Sequence, residues 1–100
     1  MDSAGYPTAR ELRRIATWPW TDFKGWMDYI HDRWAYADWG WHVSTRGVYR
    51  ISTAGWSGNE SIVEAMMRNF GLWSTHWYSS RCGGHYQFKA RKWSKLGRLP

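Results

Sequence analysis

Three prolines, one cysteine and no long apolar run are the main scarcities of this 100-residue chain. A lone Cys82 cannot form an intrachain disulfide, so the fold calls for no oxidising compartment. No stretch of about 18 apolar residues is present to span a bilayer. The opening "MDSAGYPTAR" has neither the basic start nor the apolar centre of a signal peptide. These absences lead us to expect a cytoplasmic protein with no membrane partner. Recognisable catalytic and metal motifs are missing too. There is no H-E-x-x-H, no phosphate-cradling Walker loop and no G-x-G-x-x-G. The histidines at 31, 42 and 76, Cys82 and His85 do not follow zinc-finger spacing. We therefore expect no cofactor, no metal and no enzymatic activity.

Aromatic residues are what the chain has in excess. Ten Trp, six Tyr and three Phe are more ring surface than one small core can hide, so some rings should stand at a binding surface. The competing reading is a Trp-heavy core with amphipathic rings at its margin. A hydrophobic share of 43% against 22% charge argues for a folded chain, and the length suits one domain, residues 1–100, with 1–7 and 94–100 expected to fray. The net charge of +6 is unevenly placed. Basic and acidic residues cancel over 1–80, whereas 81–100 carry Arg81, Lys89, Arg91, Lys92, Lys95 and Arg98 and no acid. Such a footprint fits a polyanion or an acidic partner.

Thr8 and Glu11 have capping-box spacing and predict a short helix from about residue 9, stopped by Pro19. Thr21 is placed to cap a second helix whose stripe is Phe23, Trp26, Met27, Ile30 and Trp34, ending at or before Gly40. "GVYRIST" alternates as a strand, with Tyr49, Ile51 and Thr53 on one face and Val48, Arg50 and Ser52 on the other. Ser57 and Glu60 repeat the capping-box spacing ahead of a helix burying Ile62, Val63, Met66, Met67 and Phe70, with Gly71 as its stop. "LWSTHWYSS" and "HYQFKAR" flank "RCGG" as a hairpin with a two- or four-residue turn. That register puts Trp73, Thr75, Trp77, Ser79, Tyr86, Phe88 and Ala90 in the core. It puts His76, Tyr78, Ser80, His85, Gln87, Lys89 and Arg91 on the surface. The expected fold is α+β: two N-terminal helices, then β-α-β-β, with a small, mainly antiparallel three-stranded sheet covered by helices.

Two places could bind a ligand. At 51–61, Gly55 and Gly58 turn the backbone in front of a helix. Free N–H groups there would lie beside Ser52, Thr53, Trp56, Ser57 and Asn59, which is either an anion cradle or an ordinary capped turn. On the hairpin, His76, Tyr78, Arg81, His85, Gln87, Lys89 and Arg91 interleave cations with rings and, with Arg50, could clamp phosphates and stack bases. The alternative there is a solvated face whose cations block edge pairing. Asp28, His31 and Asp32 share a helix face but read as solvated acids, and Cys82 beside His85 lacks an orienting shell for a nucleophile.

"YRISTAGWSGNESIVEAM" followed by "LWSTHWYSSRCGGHYQF" resembles a family of short bacteriophage and prophage proteins of uncharacterised function. The likeness is strong over 47–88 and weak over 32–41, and does not extend to 1–20 or 93–100. Family members often carry two basic residues before the paired glycines, where this chain has Arg81 then Cys82. The resemblance implies a phage accessory product acting on its host. The expected function is a non-enzymatic binder of a phosphate-bearing ligand, nucleic acid or nucleotide, serving host counter-defence. The alternative is an inhibitor or adaptor docking a Trp- and Arg-rich surface onto a host protein.

Overall fold

The computed structural model describes residues 5–90. The helices are α1 (Ala9–Thr17), α2 (Phe23–His31), α3 (Ala37–Gly40), α4 (Ser57–Arg68) and α5 (Phe70–His76). The strands are β1 (Trp41–Val43), β2 (Val48–Ser52), β3 (Trp77–Arg81) and β4 (His85–Lys89). All strand pairs are antiparallel, in the order β1-β2-β4-β3. The class is α+β as expected, with four strands rather than three. No helix among the described residues is long and apolar enough to cross a membrane.

Local signals start the first two helices. Thr8 Oγ1 accepts from Glu11 N–H while the Glu11 carboxylate accepts from Thr8 N–H, closing the predicted capping box. The cap of α2 is Asp22 rather than Thr21: its carboxylate accepts from Gly25 N–H at 3.0 Å. Phe23, Trp26, Met27, Ile30 and Trp34 are buried as their spacing requires, although α2 itself stops at His31. They meet Ile15 of α1, Ile51 of β2, Ile62, Val63 and Met66 of α4, Leu72 of α5 and Phe88 of β4 in one core. Removing an indole as deeply set as Trp26, which also donates to Ile15 O at 2.9 Å, would cost about 3–5 kcal/mol.

Several expectations fail for identifiable reasons. β1 was not anticipated, because three residues are too few to display alternation; it is joined to β2 by a turn in which Ser44 Oγ accepts from Arg46 and Val48 N–H and Gly47 sits at φ 78. The chain expected as a strand from Leu72 is helical to His76. Asn69 makes this possible: its side chain accepts from Leu72 N–H, starting α5, and donates to Ile15 O and Trp18 O, both at 3.0 Å. α4 therefore ends at Arg68 rather than running to a stop at Gly71, and Met67 and Phe70 turn outward, 48% and 79% exposed. Trp73 and Thr75 leave the predicted strand, and His76, expected at the surface, is fully buried against Phe23 with ring centroids 3.9 Å apart.

Ser57 is not a cap either. Trp56 holds the capping position without a side-chain bond, while Ser57 Oγ donates to the Tyr6 hydroxyl at 3.2 Å. Tyr6 stacks on Trp56 at 4.7 Å and Pro7 is buried. The β3–β4 loop has three residues, Cys82–Gly84, with both glycines at positive φ. The pairing is thus offset by one from expectation at Arg81↔His85, Ser80↔Tyr86 and Ser79↔Gln87. A bulge at Tyr78 restores the expected register at Trp77↔Phe88.

Candidate functional site

A sheet has two faces, and the helices cover only one of them. Ile51 and Phe88 point into the core, and the alternate positions on the same strands point away. Register brings His42, Arg50, Gln87 and Ser79 into one row across all four strands, with Ser52, His85 and Arg81 in the next. Around Arg50, Ser52, Arg81 and His85 lies an open groove of about 530 Å³, also lined by Trp39, His42 and Gln87.

Charge on this face is of one sign. No Asp or Glu occurs in any strand, in Ser44–Gly47 or in Cys82–Gly84, where Arg46, Arg50, Arg81 and Lys89 are found. The described carboxylates (Glu11, Asp22, Asp28, Asp32, Asp38, Glu60 and Glu64) all lie on helices or their caps. Among the described residues, Arg50, Arg81 and Lys89 have no ion-pair partner. On the helices Arg10, Arg13 and Arg68 are likewise without an ion pair, but there carboxylates lie on the same layer and three cations are engaged. Arg33 bonds Glu11 at 2.8 Å and covers the Tyr29 ring at 3.5 Å, Arg14 lies over Trp18 at 5.0 Å, and Lys24 bonds Asp28 at 2.7 Å.

The rim is built by α3. Gly40 is buried, and a Cβ there would meet Ser52 O at 3.0 Å, so a larger residue would press α3 back from β2 by a few tenths of an ångström. Trp34 Nε1 donates to the same Ser52 O at 3.0 Å. Trp39 is thereby placed at the groove with 63% of its surface exposed, and the His42 ring bonds the Trp39 carbonyl at 2.9 Å. Tyr36, before α3, sits in the left-handed region at φ 60 and ψ 36 with its ring 58% exposed.

Of the residues predicted to bind a ligand, Arg50, Ser52, Arg81 and His85 come together in the groove. Lys89 shares their face one step along β4, opposite Val48 and outside the groove lining. Tyr78 is exposed at the bulge, away from the groove, and Arg91 lies outside the described residues.

The opening at 51–61 has a packing role for each remaining candidate. Thr53 is buried, its N–H donating to Gly84 O at 3.0 Å. Ala54 and Gly55, at φ 56 and 72, form a tight turn closed by Trp56 N–H to Thr53 O. A Cβ on Gly58 would overlap the Trp56 indole. Asn59 is fully buried, accepting from Ala35 N–H and donating to Ala35 O, both at 2.9 Å, and to Thr53 O at 3.3 Å.

Trp39 and His42 were not among the predicted site residues. Gln87 had been placed on the right face; His42 and Trp39 needed β1 to be recognised first. A second cleft of about 180 Å³, lined by Asp22, Lys24 and Tyr49 among others, lies at the α2 entry. Burial, with help from the Asp28 charge, pushes the Tyr49 phenol up. No three His, Cys, Asp or Glu side chains among the described residues are grouped to hold a metal.

No family model matches the chain, and no curated protein or solved structure matches it.

Proposed function

We propose that the open sheet face binds a phosphate-bearing ligand, nucleic acid or nucleotide, without catalysing a reaction on it. The observation that carries this reading is the set of cations without ion-pair partners, Arg50, Arg81 and Lys89, on strands that hold no acid. Guanidinium groups present planar, bidentate donors to phosphate oxygens. We further propose, on the resemblance to phage proteins, that such a binder acts in the bacterial cytoplasm and serves counter-defence.

The test is titration of labelled oligonucleotides monitored by fluorescence anisotropy at ~50 and ~200 mM salt. Three phosphate contacts to a single strand should weaken affinity roughly ten- to twentyfold across that range. Arg50→Ala and Arg81→Ala should each weaken binding and leave the thermal midpoint nearly in place. Salt-insensitive binding, or no binding to DNA, RNA or common nucleotides, refutes the reading.

A separate observation favours docking onto a host protein. Phe70, 79% exposed, and Met67, 48% exposed, flank the α4–α5 joint, and Trp20, 44% exposed, lies against Gly71. Exposed apolar side chains grouped in this way mark interaction surfaces. A stoichiometric partner retained from nuclease-treated host lysate, and lost with Phe70→Ser, would favour this reading over the first.

A further inference from the structure

We infer that the ligand of the sheet face is single-stranded nucleic acid, with an unpaired base seated on the Tyr36–Trp39 pair and the adjoining phosphates lying along Arg50 and Arg81. The inference rests on the sheet-face reading and names the ligand within it.

Trp39 and Tyr36 are the most exposed Trp and Tyr with a shared ring contact; Trp39 lines the groove and Tyr36 extends the aromatic surface beyond it. Their centroids are 6.5 Å apart and the planes are tilted by 35°. Two stacks in the same protein are much tighter, 3.9 Å for Phe23 with His76 and 4.7 Å for Tyr6 with Trp56, while the stacked Trp73–Trp77 pair, also at 6.5 Å, is nearer parallel at 13°. The separation at Tyr36–Trp39 is close to twice the ~3.4 Å spacing of stacked bases, so the pair leaves ring surface unshared.

The pair is also held in place. Trp39 N–H and Gly40 N–H both donate to Tyr36 O, and Asn59 bonds both backbone groups of Ala35. A bulky residue in the left-handed region is strained, and such conformations persist where the surroundings over-determine them, often at ligand sites.

The arrangement selects among phosphate ligands. A duplex keeps its bases stacked inside, so an aromatic platform can engage only an unpaired base. Arg50 and Arg81 stand two strands apart and one row offset, roughly 12 Å in backbone spacing. Both arginines line the one groove, so their guanidiniums can hold the phosphates of a strand laid across it.

The experiment compares three fluorescein-labelled probes of about 12 nucleotides, within the usual site sizes: oligo-dT, an abasic strand carrying the same phosphates, and a duplex. Oligo-dT should bind about tenfold more tightly than the abasic strand, and more tightly than the duplex. Trp39→Ala should erase the advantage of oligo-dT over the abasic strand, and Trp39→Phe should retain most of it. Arg50→Ala and Arg81→Ala should weaken both single strands in parallel. Equal binding of oligo-dT and the abasic strand, duplex binding as tight as oligo-dT, or an advantage unchanged by Trp39→Ala overturns the inference. If the arginine variants still weaken binding in those cases, the sheet-face reading stands. Failure of every probe to bind wild-type protein overturns the inference, and the sheet-face reading falls with it if RNA and common nucleotides fail to bind as well. Circular dichroism melts of each variant separate lost contacts from lost fold.

Discussion

Asn59 and Ser57 exchange importance between sequence and structure, and a pair of substitutions measures the exchange. From sequence, Ser57 caps a helix, so Ser57→Ala should cost about 1 kcal/mol. In the structure its hydroxyl meets only the exposed Tyr6 hydroxyl, at 3.2 Å, and the expected loss falls to within about 0.5 kcal/mol. Asn59→Ala removes three hydrogen bonds from a fully buried side chain. Thr53 O keeps its bond from Trp56 N–H, so two groups are stranded, Ala35 N–H and Ala35 O. Ala35 is half-buried and water can reach it in part, which sets each stranded group near the lower end of the ~1–3 kcal/mol penalty. The total is about 2–3 kcal/mol. A domain of this size loses about 4–8 °C of melting temperature per kcal/mol, so Asn59→Ala should melt roughly 10–20 °C lower than wild type. Urea denaturation of the two variants is the assay. A loss below about 1 kcal/mol at Asn59, or a larger loss at Ser57 than at Asn59, would show that the 35–59 tether does not hold the groove rim as described.

Cys82, in the exposed hairpin loop, should react with a thiol reagent in the folded protein, and Cys82→Ser should move stability by no more than about 0.5 kcal/mol; an unreactive thiol contradicts the loop. Ala54 has a positive φ of 56, so Ala54→Gly should stabilise by about 0.5–1 kcal/mol in chemical denaturation, and destabilisation would refute the strain. Burial works against charge on the Glu11 carboxyl, but the hydrogen bonds it accepts, among them those from Thr8 N–H and the Arg33 guanidinium, outweigh this and hold it down at about 2. A depressed carboxyl contributes its stability fully above its ordinary value of 4.5 and loses it as pH falls towards 2. Stability measured across that window should decline, and Arg33→Gln should flatten the decline; an unchanged slope would exclude the pair as its source.

What was legible in the sequence were the signals that act over three or four residues. The Thr8–Glu11 box, the Phe23–Trp34 stripe and the alternation from Val48 to Thr53 each specify a local structure, and each is found. Illegible were the places where a distant contact decides. "LWSTH" fits a strand as well as a helix, and the choice falls to Asn69, whose side chain starts α5 while tying it to Ile15 and Trp18, some fifty residues earlier. The hairpin loop was misjudged by one residue because Cys82, Gly83 and Gly84 permit two-, three- and four-residue turns alike. The packing of Thr53 against Gly84, where a Cβ would overlap the threonine hydroxyl, favours the loop found.

The candidate site divides along the same line. Arg50 and Ser52 were placed on one face by alternation alone, and they remain on it. His85, also placed on the surface by alternation, pairs with Ser52, and Arg81 joins them because the three-residue loop pairs it directly with His85. Trp39 and His42 could not be assigned until β1 was known to lie beside β2, since three residues carry no period. Position along the chain was therefore a poor guide to the positive surface. The count by sequence assigned the basicity to residues after 80, yet Arg46 and Arg50 lie well before that point and share the acid-free sheet. The helical layer intermixes its carboxylates with Arg10, Arg13, Arg14, Lys24, Arg33 and Arg68, so its field largely cancels. The sheet's does not. On the proposed reading, a phosphate-bearing ligand approaching from solution would meet its net attraction on the side where the groove opens, which is the condition for electrostatic steering into that groove rather than onto the protein at large.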